Sequence, residues 1–235
     1  MSKKLCYLLA LLILAGCKPT SIHHDSSRPS NGHSGSSERC PKAVPGPYTG
    51  PLIIQSKYNQ NDKSKSTLSA SKDKRSVLIQ KNITDYSKGL IRFSEYATNN
   101  KKAHKQQVAL SCLHAWLTAW ADGEALTTKE TTKTGVAVRK WTLATISFVA
   151  IRTEKLTQGK WTLNTTERQW LSALADKVVE DYNPRLTQDF KYFNNHDHWA
   201  AWSVFSTGYL LKEKRYMDWG KAVFDKAITK AVIDQ

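Results

Sequence analysis

Residues 193–209 read FNNHDHWAAWSVFSTGY, two asparagines and a histidine directly before an apolar run. Its large apolar side chains, at positions 199, 202, 205 and 209, recur close to the period of an α-helix and predict one apolar helical face. Asn194 or Asn195 is expected to start that helix, because an asparagine side chain can accept a hydrogen bond from a free amide of the first turn. His196 then lies in the first turn.

Two interpretations of this stretch remain open on these residues alone. In the first, the stretch is a capped helix whose aromatic face packs in the core. In the second, the polar groups of Asn194, Asn195 and His196 form a site that can hold a carboxylate. Such a site would use the positive end of the helix dipole, beside aromatic faces.

The chain is predicted to be helical from residue 77 onward. Apolar periodicity predicts further helices over residues 77–96, 108–120, 136–151, 167–182 and 216–232. Glycine, or asparagine with proline, separates several of these segments, and no strand alternation follows residue 60. A chain of 235 residues with 40% hydrophobic content can bury a substantial core. We therefore predict one all-α domain of antiparallel hairpins over residues 40–235, entered by an extended proline-rich segment.

The N-terminus has the features of a bacterial lipoprotein signal. Lys3 and Lys4 precede an apolar run over residues 5–14, and Leu-Ala-Gly-Cys at 14–17 resembles a lipobox, whose cysteine is lipidated after cleavage. The alternative is an ordinary signal peptide that contains a cysteine. We predict a signal peptide over residues 1–17, a lipid on Cys17, a disordered tether over 18–39, and a periplasmic, membrane-anchored protein.

Export makes the other cysteines informative. Once the signal is removed and Cys17 carries lipid, Cys40 and Cys112 remain, and two thiols in an oxidising compartment predict one disulfide. The sequence has no cysteine or histidine spacing typical of zinc, and His196 and His198 would point about 200° apart on a helix. Nucleotide-binding glycine loops are also absent, so neither a metal site nor a cofactor is predicted.

The chain is strongly basic, with a formal net charge of +15. Removal of Lys3 and Lys4 with the leader leaves 33 basic and 20 acidic residues, a charge of +13. A basic surface attracts polyanions. Export favours an acidic polysaccharide or an anionic membrane surface over nucleic acid as the partner, and charge alone does not choose between these two.

Four segments in order resemble the alginate lyases that cleave poly-mannuronate, polysaccharide lyase family five. They are CPKAVPGPYTGPLIIQSKY at 40–58, AWLTAW at 115–120, TGVAVRKW at 134–141 and NNHDHWAAWSV at 194–204. Asp197 and His198 stand where the family pattern has Ser-Tyr. The resemblance covers residues 40–235.

The resemblance implies an α/α toroid that cleaves the link between uronates by β-elimination. The proton on C5 becomes acidic only when the adjacent carboxylate is neutralised, a role the resemblance gives to Asn195. His196 would assist there or act as base. Lys57 and Tyr58 would grip the substrate from a lid loop. Further candidates for substrate binding are Asn194, Arg139, Trp199, Trp202 and Trp120. A structural ion pair for Arg139 and core packing for the tryptophans remain open alternatives.

In the family a further segment, R-x-x-R-A-L-x-Y-H-N-Y, supplies an arginine and the catalytic tyrosine. This sequence stops at Gln235, so the resemblance implies an incomplete toroid, truncated at the C-terminus, with impaired turnover and a tendency to associate. The candidates left for a general acid are Tyr58, Tyr192 and Tyr209. The alternative function is a non-catalytic envelope lipoprotein that binds alginate or another polyanion. The oligomeric state is not predicted.

Overall fold

The computed structural model describes residues 40–71, 73–187 and 193–233. The predicted signal peptide, the lipidation site Cys17, the tether and Tyr192 lie outside the described residues. The described helices are α1 (Lys74–Asn99), α2 (Ala103–Asp122), α3 (Lys133–Leu156), α4 (Thr165–Tyr182), α5 (Asn195–Leu211) and α6 (Lys214–Ile233), and a short 3-10 helix (Asn183–Leu186) follows α4. None of the helices described here is long and apolar enough to cross a bilayer.

Side-chain caps explain where four of these helices begin. In each case a polar side chain just before the helix accepts a hydrogen bond from an amide of the first turn, and these residues are Asp73, Thr132, Asn164 and Asn194. In α4 and α5 the third helical residue, Glu167 or Asp197, bonds back to the cap amide and completes a capping box. Asn194 is thus the cap of α5, and Asn195 is its first residue.

The helices form three antiparallel hairpins in two layers. In one layer α1 packs on α3 and α3 packs on α5. Buried hydroxyl pairs join these helices, Ser94 with Thr153 at 2.7 Å and Ser147 with Thr207 at 2.8 Å. Both pairs lie toward the C-terminal ends of their helices, so α1, α3 and α5 run parallel. The returning helices form the second layer, in which α2 packs on α4. The third returning helix, α6, packs on α5 and is joined to α4 by a hydrogen bond of 2.9 Å between the hydroxyls of Ser172 and Tyr216. The predicted all-α hairpin architecture is confirmed.

The extended entry segment is fastened to the first hairpin. A disulfide joins Cys40 to Cys112 of α2, with the two Cα atoms 5.6 Å apart. Further along, the indole of Trp120 donates to the carbonyl of Pro45 at 2.7 Å, and the Tyr86 ring stacks on Trp120 with centroids 3.6 Å apart. Trp120 is completely buried, so the suggestion that it lines a substrate groove is wrong.

Residues 52–54 run past the start of α3. The amide of Leu52 donates to the carbonyl of Glu130 at 2.8 Å, and the amide of Ile54 donates to the Thr132 hydroxyl at 3.1 Å. The approach is so close that a Cβ atom on Gly135 would lie 2.1 Å from the Leu52 carbonyl oxygen, which explains the glycine of the Thr-Gly pair. This contact brings the following loop, residues 57–69, to the end of the domain where α1, α3 and α5 begin.

The predicted apolar face of α5 is its exposed face. Trp199, Trp202 and Tyr209 are 45%, 45% and 49% exposed, whereas the opposite face is buried. Most residues of that buried face are small, and α6 lies very close to it: a Cβ atom on Gly208 would be 2.8 Å from the Met217 amide nitrogen. The interpretation of this aromatic face as core packing is therefore wrong.

Candidate functional site

Polar side chains gather where α3 and α5 begin and α4 ends. Nζ of Lys140, in α3, donates to the hydroxyl of Tyr182, the last residue of α4, at 2.6 Å. The same nitrogen lies 2.7 Å from Nδ1 of His196, in the first turn of α5. The sequence pattern indicates His196 but neither Lys140 nor Tyr182. Lys140 falls inside the Arg-Lys-Trp segment of the resemblance, which is its only signal, and Tyr182 lies in none of the four resembling segments.

Lys140 is a buried amine, and no carboxylate of the described residues forms an ion pair with it. Its side chain has no exposed surface. Burial lowers the pKa of Lys140 to about 7, with Asp197 opposing this shift and Arg185 adding to it. A lysine with such a pKa exchanges a proton near neutral pH, which an ordinary surface lysine does not do. Its Nζ also lies over the rings of Trp141 and Tyr182, at 5.1 and 4.9 Å from their centroids.

His196 presents one ring nitrogen to Lys140 and leaves the other open. The ring is half-buried and tilted against Trp141, with centroids 5.7 Å apart. Burial lowers the pKa of His196, and the nearby cations Lys140 and Arg185 lower it further. The imidazole is therefore neutral at neutral pH. Among the described residues none forms a hydrogen bond with Nε2, so this nitrogen is available to a ligand.

Asp197 fixes the start of α5. Its carboxylate pairs with Arg185 of the 3-10 helix through two bonds of 2.5 and 2.7 Å, and accepts from the Asn194 amide at 2.8 Å. Burial raises the pKa of Asp197, but the bonds from Arg185 and Asn194 outweigh it and hold the pKa below its usual value. The aspartate that departs from the family's Ser-Tyr therefore caps the helix and ties it to the turn after α4.

The two asparagines of this segment have different positions. Asn194 accepts from the His196 amide at 2.9 Å through its side-chain oxygen, so that oxygen serves the helix cap. Asn195 is exposed, and within the described ranges no hydrogen bond to its side-chain amide is found. Asn195 and His196 are thus adjacent groups at the N-terminus of α5, where the helix dipole favours an anion.

Arg139 does not reach this site. Its side chain is 1% exposed, and its guanidinium donates to the carbonyls of Leu126, at 2.9 Å, and Thr128, and to Asp181 at 2.6 Å. These bonds hold the connection between α2 and α3 against α4. The prediction that Arg139 binds a uronate carboxylate is wrong, and the structural ion pair is the alternative that the structure supports.

Exposed tryptophans lie on the helices that carry the site. Trp199 and Trp202 are on α5, and Trp141, beside His196, is also partly exposed on α3. An exposed indole is an apolar face against which the C–H groups of a sugar ring can pack. The predicted contact of Trp199 and Trp202 with substrate is compatible with their exposure.

Lys57 and Tyr58 lie on a loop at the same end of the helices. The loop is closed by pairing of Tyr58 with Leu68 and by a bond of 2.9 Å from the Ser69 amide to the Lys57 carbonyl. Nζ of Lys57 lies 4.9 Å from the centroid of the Tyr58 ring. No contact joins this loop to His196 in the part of the chain that the structure describes. The loop therefore lies at the end of the domain where α3 and α5 begin, but not in the site itself.

Two further expectations concern Tyr209 and metals. Tyr209 lies 13 residues after His196 on the same helix, roughly 20 Å away along its axis, so it does not serve as the general acid. Lys155 lies over its ring instead, at 5.5 Å. Among the residues that are described, no group of three histidine, cysteine, aspartate or glutamate side chains is placed to hold a metal ion.

The sequence matches known alginate lyases. The alginate lyase of Cobetia marina is 32% identical over 197 residues, which cover 82% of this chain and 50% of that protein. The alginate lyase of Pseudomonas putida is 33% identical over 186 residues, which cover 77% and 48%. The chain therefore spans about half the length of the curated relatives it matches.

The fold also matches a solved structure. The crystal structure of alginate lyase A1-III from Sphingomonas species A1 superposes with a TM-score of 0.56 at 19% identity, over 76% of this chain and 47% of that chain. This likeness confirms the predicted α/α toroid, of which the three hairpins are a part. The family profile of the alginate lyases matches residues 54–235. This chain therefore belongs to the alginate lyase family.

Proposed function

We propose that this protein is a polysaccharide lyase that cleaves mannuronate-rich alginate by β-elimination. The observation that carries the proposal is the pair Asn195 and His196 at the N-terminus of α5, with an amide and a ring nitrogen open to a ligand. Membership of the family and the net charge of +15 support an acidic polysaccharide as the substrate.

The chemistry requires the substrate carboxylate to be neutralised. When the C5–H bond breaks, negative charge develops on the carboxylate attached to C5. Hydrogen bonds from the Asn195 amide and the His196 imidazole, together with the helix dipole, stabilise that charge. The C4–O4 bond then breaks, a C4=C5 double bond forms, and the leaving oxygen takes a proton.

A second group must take the proton from C5 and give a proton to the leaving oxygen O4. Of the tyrosines considered for this role, Tyr209 is too far away and Tyr192 lies outside the described residues. We assign the role to Tyr58, whose loop lies at the same end of the domain as His196. Lys57, next to it and exposed, would bind a neighbouring uronate carboxylate. Trp199 and Trp202 would pack against sugar rings.

We also propose that the protein is exported and held on a membrane by a lipid on Cys17. The apolar run before the Leu-Ala-Gly-Cys segment supports this. The Cys40–Cys112 disulfide fits an oxidising compartment.

Formation of the double bond provides the test. A C4=C5 bond conjugated with the carboxylate absorbs ultraviolet light that the intact polymer does not, so absorbance is followed while the purified chain is incubated with poly-mannuronate. We expect a slow rise that is lost in Asn195→Ala and in His196→Ala. Tyr209→Phe, at the far end of α5, is the matched control and should retain it. Flat absorbance for the unmodified chain, with salt-sensitive binding to the polymer, would support the non-catalytic alternative instead.

A further inference from the structure

We infer that Lys140 is a positioning residue that sets the tautomer of His196, and so decides whether the imidazole offers an N–H group or a lone pair to the substrate. The catalytic consequence of this inference rests on the proposed function. The geometry behind it, and its test, do not.

The contacts of Nζ define the first state. A neutral imidazole carries one N–H and one lone pair, and an ammonium group can only donate. When Lys140 is an ammonium, it donates to the Tyr182 hydroxyl, 2.6 Å away, and to Nδ1 of His196, 2.7 Å away. Nδ1 must then hold the lone pair, and the proton is on Nε2. In this state His196 is a hydrogen-bond donor that neutralises the substrate carboxylate.

Loss of one proton from Lys140 defines the second state. A neutral amine has a lone pair and can accept the Nδ1–H of His196, which leaves the lone pair on Nε2. His196 then faces the substrate as a base and no longer donates. The two roles that the resemblance leaves open for His196 therefore correspond to two protonation states of a different residue.

The groups around Lys140 set the pH at which it changes between these two states, and that pH lies in a range accessible to experiment. The groups that act on Lys140 are Tyr182 at the end of α4, Arg185 after it, and His196 and Asp197 on α5. Arg185 and Asp197 are paired with each other, so their opposite effects on Lys140 partly cancel. Burial raises the pKa of Tyr182, so its hydroxyl keeps its proton throughout. Burial of Lys140 then dominates, and its pKa of about 7 is the expected midpoint.

The test reads the tautomer directly. The full chain is labelled with ¹⁵N-histidine, and the imidazole nitrogen shifts are recorded between pH 5 and 9, a range chosen to bracket the lysine pKa of about 7. The His196 signals are assigned by their loss in His196→Gln. We expect Nε2–H as the dominant tautomer on the acidic side, changing toward Nδ1–H with a midpoint near neutral pH. In Lys140→Met this change should be absent. Exposed His198 serves as the internal reference.

Two results would overturn the inference. One is a His196 tautomer ratio that stays constant across this pH range in the unmodified chain. The other is an unchanged profile in Lys140→Met. If that variant does not fold, the pH dependence of the His196 tautomer in the unmodified chain, compared with that of His198, still tests the inference. Lack of turnover would reject the proposed function and leave the tautomer result intact, so the two failures are distinguishable.

Discussion

Nζ of Lys140 lies 2.7 Å from Nδ1 of His196, although the two residues are 56 positions apart in the sequence. This contact joins the Arg-Lys-Trp segment of α3 to the Asn-Asn-His segment of α5. Consecutive residues of a helix point about 100° apart, so the side chains of this Arg-Lys-Trp segment enter three different environments. Arg139 enters the core, Lys140 meets His196, and Trp141 is partly exposed beside the imidazole.

Removal of Arg139 should destabilise the domain. Arg139→Met leaves Asp181 and two carbonyl groups without their partner, and loss of one member of a buried pair costs roughly 3–5 kcal/mol. Urea denaturation measures the free energy of unfolding. Lys81→Met, which removes an exposed ion pair with Asp85, is the control and should change it by less than about 1 kcal/mol. An Arg139 variant of unchanged stability that no longer binds poly-mannuronate would restore the substrate role.

Trp199→Ala and Trp202→Ala should weaken polymer binding more than they affect stability. Both side chains are 45% exposed, so each substitution should destabilise the domain by less than the roughly 3–5 kcal/mol lost when a fully buried tryptophan is truncated. Binding of poly-mannuronate is measured by calorimetry. Ile228→Ala, an exposed apolar residue of α6, is the matched control. Equal affinity of all three variants and the unmodified chain would remove the tryptophans from the binding surface.

The stability of the domain should depend on pH through Lys140. Its pKa is about 7 in the folded protein and 10.5 in an ordinary environment, so between these values the unfolded chain binds more protons. Lys140 therefore makes the free energy of unfolding rise with pH between about 7 and 10.5. This gain in stability is lost as the pH falls back through about 7. Unfolding at several pH values in this window measures the slope. Lys140→Met should reduce the slope, and identical slopes would contradict the shifted pKa.

Processing in the cell tests the lipid anchor. In a bacterial host, Cys17→Ala or treatment with globomycin should cause unprocessed precursor to accumulate, because lipoprotein signal cleavage requires the lipidated cysteine. Labelled fatty acid should enter the unmodified protein only. Normal cleavage without incorporation of lipid would indicate the ordinary signal peptide.

The helices were predictable because their apolar periodicity is local, and the asparagine cap of α5 follows from the same kind of pattern. The orientation of α5 was not. Its aromatic residues suggest a core face, but the small residues opposite them allow α6 to approach closely, and that tight contact decides which face is buried. Lys140 was missed for a related reason. Its partners Tyr182 and His196 are 42 and 56 residues away, and no local pattern separates a buried lysine from an exposed one.

The products formed from poly-mannuronate test the central claim most directly. Elimination gives fragments with an unsaturated non-reducing end, each lighter by one water molecule than the corresponding product of hydrolysis, and mass spectrometry distinguishes the two. The proposed function predicts that unsaturated oligomannuronates accumulate with the unmodified chain and Tyr209→Phe, but not with Asn195→Ala or His196→Ala. Saturated fragments, or no fragments from a folded chain that binds the polymer, would contradict it.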